Sequence, residues 1–261
     1  MSRDHRFPDD AFPVVVAHRG ASSTHPENTL AAFEEAIRLG AHAVELDVRV
    51  SRDGVAVVMH DAVLDRTTDG TGAVNERTAA ELRALNAGTA TSPAPVPTLA
   101  EVLDLASGRT AVALEIKNLF GEPGYEPARE PAVEAAHADL ARTAFEGPVL
   151  VVSFNPASIA ASKAIAPEVP TGFLTNELVA PADALAHALQ AGHGFVLPGT
   201  RALIPAGPGF VRAAHAAGVL VGTWTVDDPD ELGTVLGFGV DVVASNDPAM
   251  ALAVLAEHVP G

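Results

Sequence analysis

Short β-branched runs recur at 14–18, 43–50, 111–117, 149–153, 170–175, 194–198, 219–226 and 240–245, and most are separated by alanine-rich amphipathic stretches of helical length. Alternating strand and helix specifies a parallel sheet covered by helices, because parallel neighbours need a crossover long enough to hold one. Eight such units in 261 residues favour a closed (β/α)8 barrel, the α/β TIM fold, over an open doubly wound sheet. Helix starts are marked by Asn28-Thr29 ahead of Leu30, Phe33 and Ile37, and by Asn155-Pro156, Asp228-Pro229 and Asp247-Pro248. Each places a side-chain acceptor before the first turn, three of them with proline following. With 48% hydrophobic residues there is enough for one large core, so residues 1–261 read as a single domain.

Two regions break the alternation. Residues 55–60 form an extra strand after Ser51-Arg52-Asp53-Gly54, a link too short for a helical crossover but suited to a hairpin, which returns His60 to the level of Asp47. From about 61 to 97 the chain is turn-rich around one short helix opened by the capping box Thr78-Ala79-Ala80-Glu81, and it reads as an insertion over the barrel mouth. Thr98-Leu99-Ala100-Glu101 repeats the box and restarts the barrel. Residues 118–131, with several Gly and Pro plus Phe120 and Tyr125, follow a strand end and belong at the mouth too.

Chemistry concentrates at strand ends. Two strands finish in histidine, at Val16-Ala17-His18-Arg19-Gly20 and Val57-Val58-Met59-His60-Asp61. Imidazoles titrate near neutrality, so His18 and His60 are candidates to exchange protons with an attacking and a leaving oxygen. The remaining histidines, such as His137, His187 and His215 on predicted helices, read as surface or packing residues. Glu45 and Asp47 stand at i and i+2 and share one face of a strand; Glu115 and Lys117 repeat the spacing with one acid and one base. A single acid in a strand commonly faces solvent or pairs with a base. Two such pairs on apolar strands of a buried sheet call for a cation, because burying acids alone costs several kcal/mol each.

With waters, Glu45, Asp47 and Glu115 complete an oxygen shell for one divalent cation, Mg²⁺ or Ca²⁺, with Mn²⁺ compatible. The set has no sulfur and no close histidine pair, so zinc is less natural. Arg19 and Lys117 can hold non-bridging phosphate oxygens, pair with the carboxylates, or do both. Asn28 is explained as well by a helix cap as by a ligand contact, and Glu27 is balanced between structural and functional roles. Trp224, the only tryptophan, sits at a strand end and is expected to wall the pocket. The pattern points to metal-assisted phosphodiester chemistry.

Composition narrows the partners. A formal charge of −17 with no basic stretch repels phosphate backbones and argues against nucleic acid or an anionic membrane surface. A phosphate substrate must then be small and met by local cations. No cysteine is present, which removes disulfides, thiolate metal sites and thiol nucleophiles. Met1 to Phe12 lack the apolar run of about 7–15 residues that a signal peptide needs, so a cytoplasmic address is the expectation. Every hydrophobic run is interrupted before the roughly 20 residues of a membrane span.

Taken in order, His18-Arg19-Gly20, Pro26-Glu27-Asn28-Thr29, Glu45-Leu46-Asp47-Val48, Asp53-Gly54-Val55 leading to His60-Asp61, Arg66-Thr67-Thr68, Pro97-Thr98-Leu99, Glu115-Ile116-Lys117, Ser153-Phe154 and Trp224-Thr225 make the chain resemble the glycerophosphodiester phosphodiesterase family. Each piece alone is weak; their order and spacing are specific. The resemblance implies a metal-dependent barrel hydrolase that cleaves a glycerophosphodiester to sn-glycerol 3-phosphate and an alcohol. It implies Glu45, Asp47 and Glu115 as metal ligands, His18 and His60 as the acid/base pair, and Arg19 and Lys117 as phosphate clamps. Attack by water and attack by the glycerol 2-hydroxyl through a cyclic phosphate both remain open.

The chain departs from the family pattern at Ala244-Ser245-Asn246-Asp247-Pro248, where many members have Thr-Asp, so Ser245 and Asn246 are expected to contact substrate differently. Phe195-Val196-Leu197-Pro198-Gly199 offers no polar ligand. One alternative is head-group release from lysophospholipids, which needs an apolar entrance that Leu119-Phe120 hardly provides. Another is a lyase or isomerase of a phosphorylated small molecule, which usually binds phosphate through Gly-rich backbone after the last strands. A non-catalytic binder is disfavoured because the whole acid/base set is present.

Overall fold

The computed structural model describes residues 13–258; the expectation drawn from Met1 to Phe12 lies outside the described residues. The strands are β1 (Val14–His18), β2 (Ala43–Val50), β3 (Ala56–Val58), β4 (Ala111–Ile116), β5 (Val149–Ser153), β6 (Thr171–Thr175), β7 (Phe195–Pro198), β8 (Leu220–Thr223) and β9 (Val242–Ser245). All but β3 run parallel in the order β1-β9-β8-β7-β6-β5-β4-β2, and pairing of β1 with β2 closes the ring. The result is the expected TIM barrel. Its helices are α1 (Leu30–Leu39), α2 (Ala79–Arg83), α3 (Leu99–Ala106), α4 (Pro131–Thr143), α5 (Pro156–Ile165), α6 (Pro181–Ala191), α7 (Thr200–Ala216), α8 (Pro229–Gly237) and α9 (Pro248–His258).

Side-chain alternation divides the core. Val14, Val16, Ala43, Ala113, Leu150 and Leu197 pack together inside the barrel. Their strand neighbours Val44, Leu46, Val112 and Leu114 instead pack with Phe33 and Leu103 of the surrounding helices. The same period carries polar residues inward at the strand ends, where the apolar layers stop.

Thr29, not Asn28, caps α1: its hydroxyl accepts from Ala32 N at 3.2 Å, and Asn28 takes a left-handed conformation, φ 57°, that turns its side chain elsewhere. Asn155 and Asp228 cap α5 and α8, and both capping boxes form. The strand expected over 219–226 ends its continuous ladder at Thr223, beyond which Trp224 makes a single parallel bridge with Gly199. The β-forming run continues past the point where its neighbours can pair, a limit that local propensity does not contain. Gly20 (φ +81°) lets the loop after β1 lie on α1; a Cβ there would come within 2.6 Å of the Ala32 carbonyl carbon.

The hairpin forms as expected, with Val48 opposite Val58 and Val50 opposite Ala56, and Met59 N donates to Asp47 O at 3.0 Å. Beyond it, α2 and neighbouring turns close a small core of their own around Val57, Leu64, Val74, Leu82 and Val96. No helix among the described residues is long and apolar enough to cross a membrane.

His193 precedes β7 and is buried. Its Nδ1 lies 2.7 Å from Thr171 Oγ1, and its Nε2 has no hydrogen-bond partner. Burial, then His187 and Lys163, hold its pKa down to about 4. The folded state therefore keeps His193 neutral while the unfolded chain takes up a proton near pH 6.5. The stability this provides is complete above pH 6.5 and is lost as the pH falls from there through about 4. The urea midpoint of His193→Leu is expected to fall less between pH 7.5 and pH 5 than the parent's; equal falls would assign the loss to other groups.

Candidate active site

Register assembles the site. His18 lies beside Glu45 across β1 and β2, and Asp47 lies beside Glu115 across β2 and β4. His18 and Glu115 stand at or next to the last residue of β1 and β4, and Glu45 and Asp47 lie level with them on the longer β2, on the carboxyl side of the barrel where its loops gather. A cavity of about 270 Å³ opens there. His18, Arg19, Glu45, His60, Glu115 and Lys117 line its polar side, and Phe154, Leu174, Leu197 and Trp224 stand among its apolar walls.

Glu45, Asp47 and Glu115 are all buried, and each offers an oxygen within 4.8 Å of the others. Lys117 Nζ sits 3.0 Å from Asp47 Oδ1 and also pairs with Glu115 Oε1. Arg19 donates its backbone N–H to Glu45 Oε2 at 2.9 Å and holds its Nε 3.4 Å from Asp47 Oδ2. Asn28 Nδ2 donates to Asp47 Oδ2 at 2.7 Å, so Asn28 supports an acid rather than capping the helix. Burial opposes ionisation of Asp47, yet the cations Lys117 and Arg19 outweigh it and hold the carboxyl below its ordinary range. For Glu45, burial followed by the charges of Asp47 and Glu115 wins, and the pKa is pushed well up. Burial raises Glu115 as well, although Lys117 works against it.

The local charge balance is incomplete. Glu45 Oε1 is buried with no hydrogen-bond partner, and Asp47 Oδ1 has none beyond its ion pair with Lys117. Unsatisfied buried carboxylate oxygens that converge on one point fit a hard divalent ion.

The two histidines are held differently. His18 Nδ1 lies 2.8 Å from Asn246 Oδ1, and its Nε2 lies 3.9 Å from Glu45 Oε2. Burial, then Arg19, lowers its pKa to about 4. His60 Nδ1 lies 2.6 Å from Asp61 Oδ1, and its carbonyl accepts from Arg49 Nε at 2.8 Å. Burial, then Lys117, lowers the His60 pKa as well. The guanidinium of Arg66 keeps Asp61 ionised, down to about 2.

Arg66 donates to Asp61 Oδ2 at 2.6 Å and to both oxygens of Glu27 at 2.8 and 2.7 Å. Glu27 in turn accepts from Arg19 at 3.0 Å. One chain of ion pairs thus runs from the partner of His60 to the cation beside Asp47, and Glu27 is a link in it.

Trp224 donates Nε1–H to Leu197 O at 2.9 Å and meets Phe154 edge-on at 5.2 Å. Its ring lines the cavity as expected. Asn246, expected to face substrate, instead stands behind His18, and Ser245 is buried beneath it. His137 and His215 bind Ser162 and Asp241, His187 packs on Phe173, and none of the three lines the cavity. The sequence pattern missed Arg49 and the roles of Asp61 and Arg66. Asp61 directly follows His60, but the reach of Arg66 to Glu27 depends on how the insertion folds.

The chain has relatives among known proteins. Residues 18–250 match the model of the glycerophosphoryl diester phosphodiesterase family. The chain is 35% identical to a glycerophosphodiester phosphodiesterase of Caldanaerobacter subterraneus subsp. tengcongensis, over 90% of this chain and 94% of that protein. It is 31% identical to one of Bacillus subtilis, over 90% and 84% respectively. Among solved structures, an Oleispira antarctica phosphodiesterase in complex with the product sn-glycerol-3-phosphate is similar, with a TM-score of 0.84 and 29% identity over 94% of this chain and 97% of that one. A glycerophosphodiester phosphodiesterase from Agrobacterium tumefaciens gives a TM-score of 0.77 and 28% identity over 92% and 99%.

Proposed function

The chain belongs to the glycerophosphoryl diester phosphodiesterase family, and from that premise we propose that it hydrolyses glycerophosphodiesters to sn-glycerol 3-phosphate and an alcohol. The observation that carries this reading is one cavity lined by two histidines, two cations and the carboxylates Glu45 and Glu115, with the buried Asp47 offering a third carboxylate oxygen within 4.8 Å of theirs.

Glu45, Asp47 and Glu115 would hold one divalent ion, Mg²⁺, Ca²⁺ or Mn²⁺ by the oxygen-only donor set. When bound, it supplies Lewis-acid stabilisation of charge on a phosphate oxygen. Arg19 and Lys117 hold the non-bridging oxygens and offset the charge that grows on them. One of His18 and His60 takes the proton of the attacking oxygen, and the other returns a proton to the leaving alkoxide. The segment 61–97 serves the same centre, since it contributes Asp61 behind His60 and the Arg66 tie to Glu27 and Arg19.

The apolar side of the cavity, with Phe154, Leu174, Leu197 and Trp224, favours a second substrate, a lysophospholipid, although Phe120 on the loop after β4 is not among the lining residues. EDTA-stripped protein with Mg²⁺, Ca²⁺ or Mn²⁺ restored singly is expected to release sn-glycerol 3-phosphate from glycerophosphocholine. Choline release from lysophosphatidylcholine alone would move the assignment to the second substrate, and inertness towards both would reject hydrolysis of either.

A further inference from the structure

We propose that Asn246 and Asp227 form a positioning relay that fixes the His18 ring in a single tautomer and direction. The inference rests on His18 being an acid/base residue, and it concerns groups that do not touch the substrate.

Asp227 lies in the loop after β8, Asn246 follows β9, and His18 ends β1. Asp227 Oδ1 accepts from the Asn246 backbone N–H at 2.7 Å and from Ser245 Oγ at 3.1 Å. Asp227 Oδ2 accepts from Asn246 Nδ2 at 2.6 Å. A carboxylate can only accept, so the amide must present its NH2 to Asp227. This settles which way the Asn246 side chain points, an orientation that hydrogen-bond partners alone decide.

The carbonyl end of that amide then faces away from Asp227. Asn246 Oδ1 lies 2.8 Å from His18 Nδ1 and 2.9 Å from Ser22 Oγ. An amide oxygen can only accept, so Nδ1 of His18 must carry the hydrogen and Nε2 must present its lone pair. Nε2 is the nitrogen on the Glu45 side, 3.9 Å from the nearest carboxylate oxygen.

His60 has a carboxylate directly against its ring. At His18 the carboxylate is one residue removed, and a neutral amide transmits its direction without placing a negative charge on the imidazole.

The relay makes a prediction that simple packing does not. Asn246→Leu and Asp227→Ala are each expected to lower kcat on glycerophosphocholine about 10- to 100-fold, with KM within about threefold. The exchanged pair Asn246→Asp with Asp227→Asn keeps one donor and the same acceptors in place, so it is expected to recover kcat to within about fivefold of the parent.

Long-range proton–nitrogen NMR of the histidine rings, with His18→Gln to assign the signals, needs neither substrate nor ion. It should show a protonated Nδ1 and a bare Nε2 in the parent, and loss of that single form in Asn246→Leu. A protonated Nε2 in the folded parent, or an unchanged kcat in both single variants, would overturn the relay. If Asn246→Leu melts early, Asp227→Ala and the exchanged pair still decide. A parent that turns over no diester but shows the expected tautomer would defeat the substrate assignment and leave the relay standing.

Discussion

Replacing His18 or His60 by alanine is expected to lower kcat on glycerophosphocholine by about 10³-fold, the usual scale when a positioned proton-transfer group is removed. Both rings stand at the rim, where their loss removes hydrogen bonds to Asn246 and Asp61 but no part of the packed layers. Circular dichroism and the melting temperature should therefore stay close to the parent's. Because the two groups act on one reaction, the double variant should lose little more than the worse single variant. A variant that keeps more than about a tenth of the activity would remove its residue from proton transfer.

Stripping divalent ions is expected to abolish turnover while most of the helical circular dichroism signal remains, because the barrel closes through β1 and β2 pairing and its apolar layers. Simultaneous loss of structure and activity would make the ion structural. The pH dependence has a definite sign. Glu45 and Glu115 have raised pKa values without an ion, chiefly through burial, so protons compete for the same oxygens as the pH falls. Ion binding should weaken at lower pH and release protons, which calorimetry in two buffers of different ionisation enthalpy measures directly. Binding that is indifferent to pH between 5 and 8 would place the ion elsewhere.

Much of this was legible in the sequence because period-two alternation is a local property. Glu45 with Asp47 and Glu115 with Lys117 could be placed pairwise on one strand face from spacing alone, His18 could be placed at a strand end, and the short link before β3 implied the hairpin that carries His60. What stayed hidden depends on closure. Asn246 is 228 residues from His18, and nothing local distinguishes an asparagine that faces substrate from one that faces a ring. Asn28 was ambiguous for a related reason: Asn and Thr are both good caps, and only the left-handed turn at Asn28, pressed against Asp47 by the packing of α1, decides between them. The tie between Arg66 and Glu27 required the fold of an insertion whose small core has no regular period.

The seam between β1 and β9, the first and last strands of the ring, divides the site unequally along the chain. The acids, the cations and both histidines all lie between residues 18 and 117, on three neighbouring strands and one hairpin, whereas Asp227 and Asn246 arrive with the last two strands. A nascent chain thus carries its complete ion-binding and acid/base inventory before half of it has been synthesised. His18 gains its backing only when β9 docks beside β1, so barrel closure and orientation of the imidazole are the same physical event.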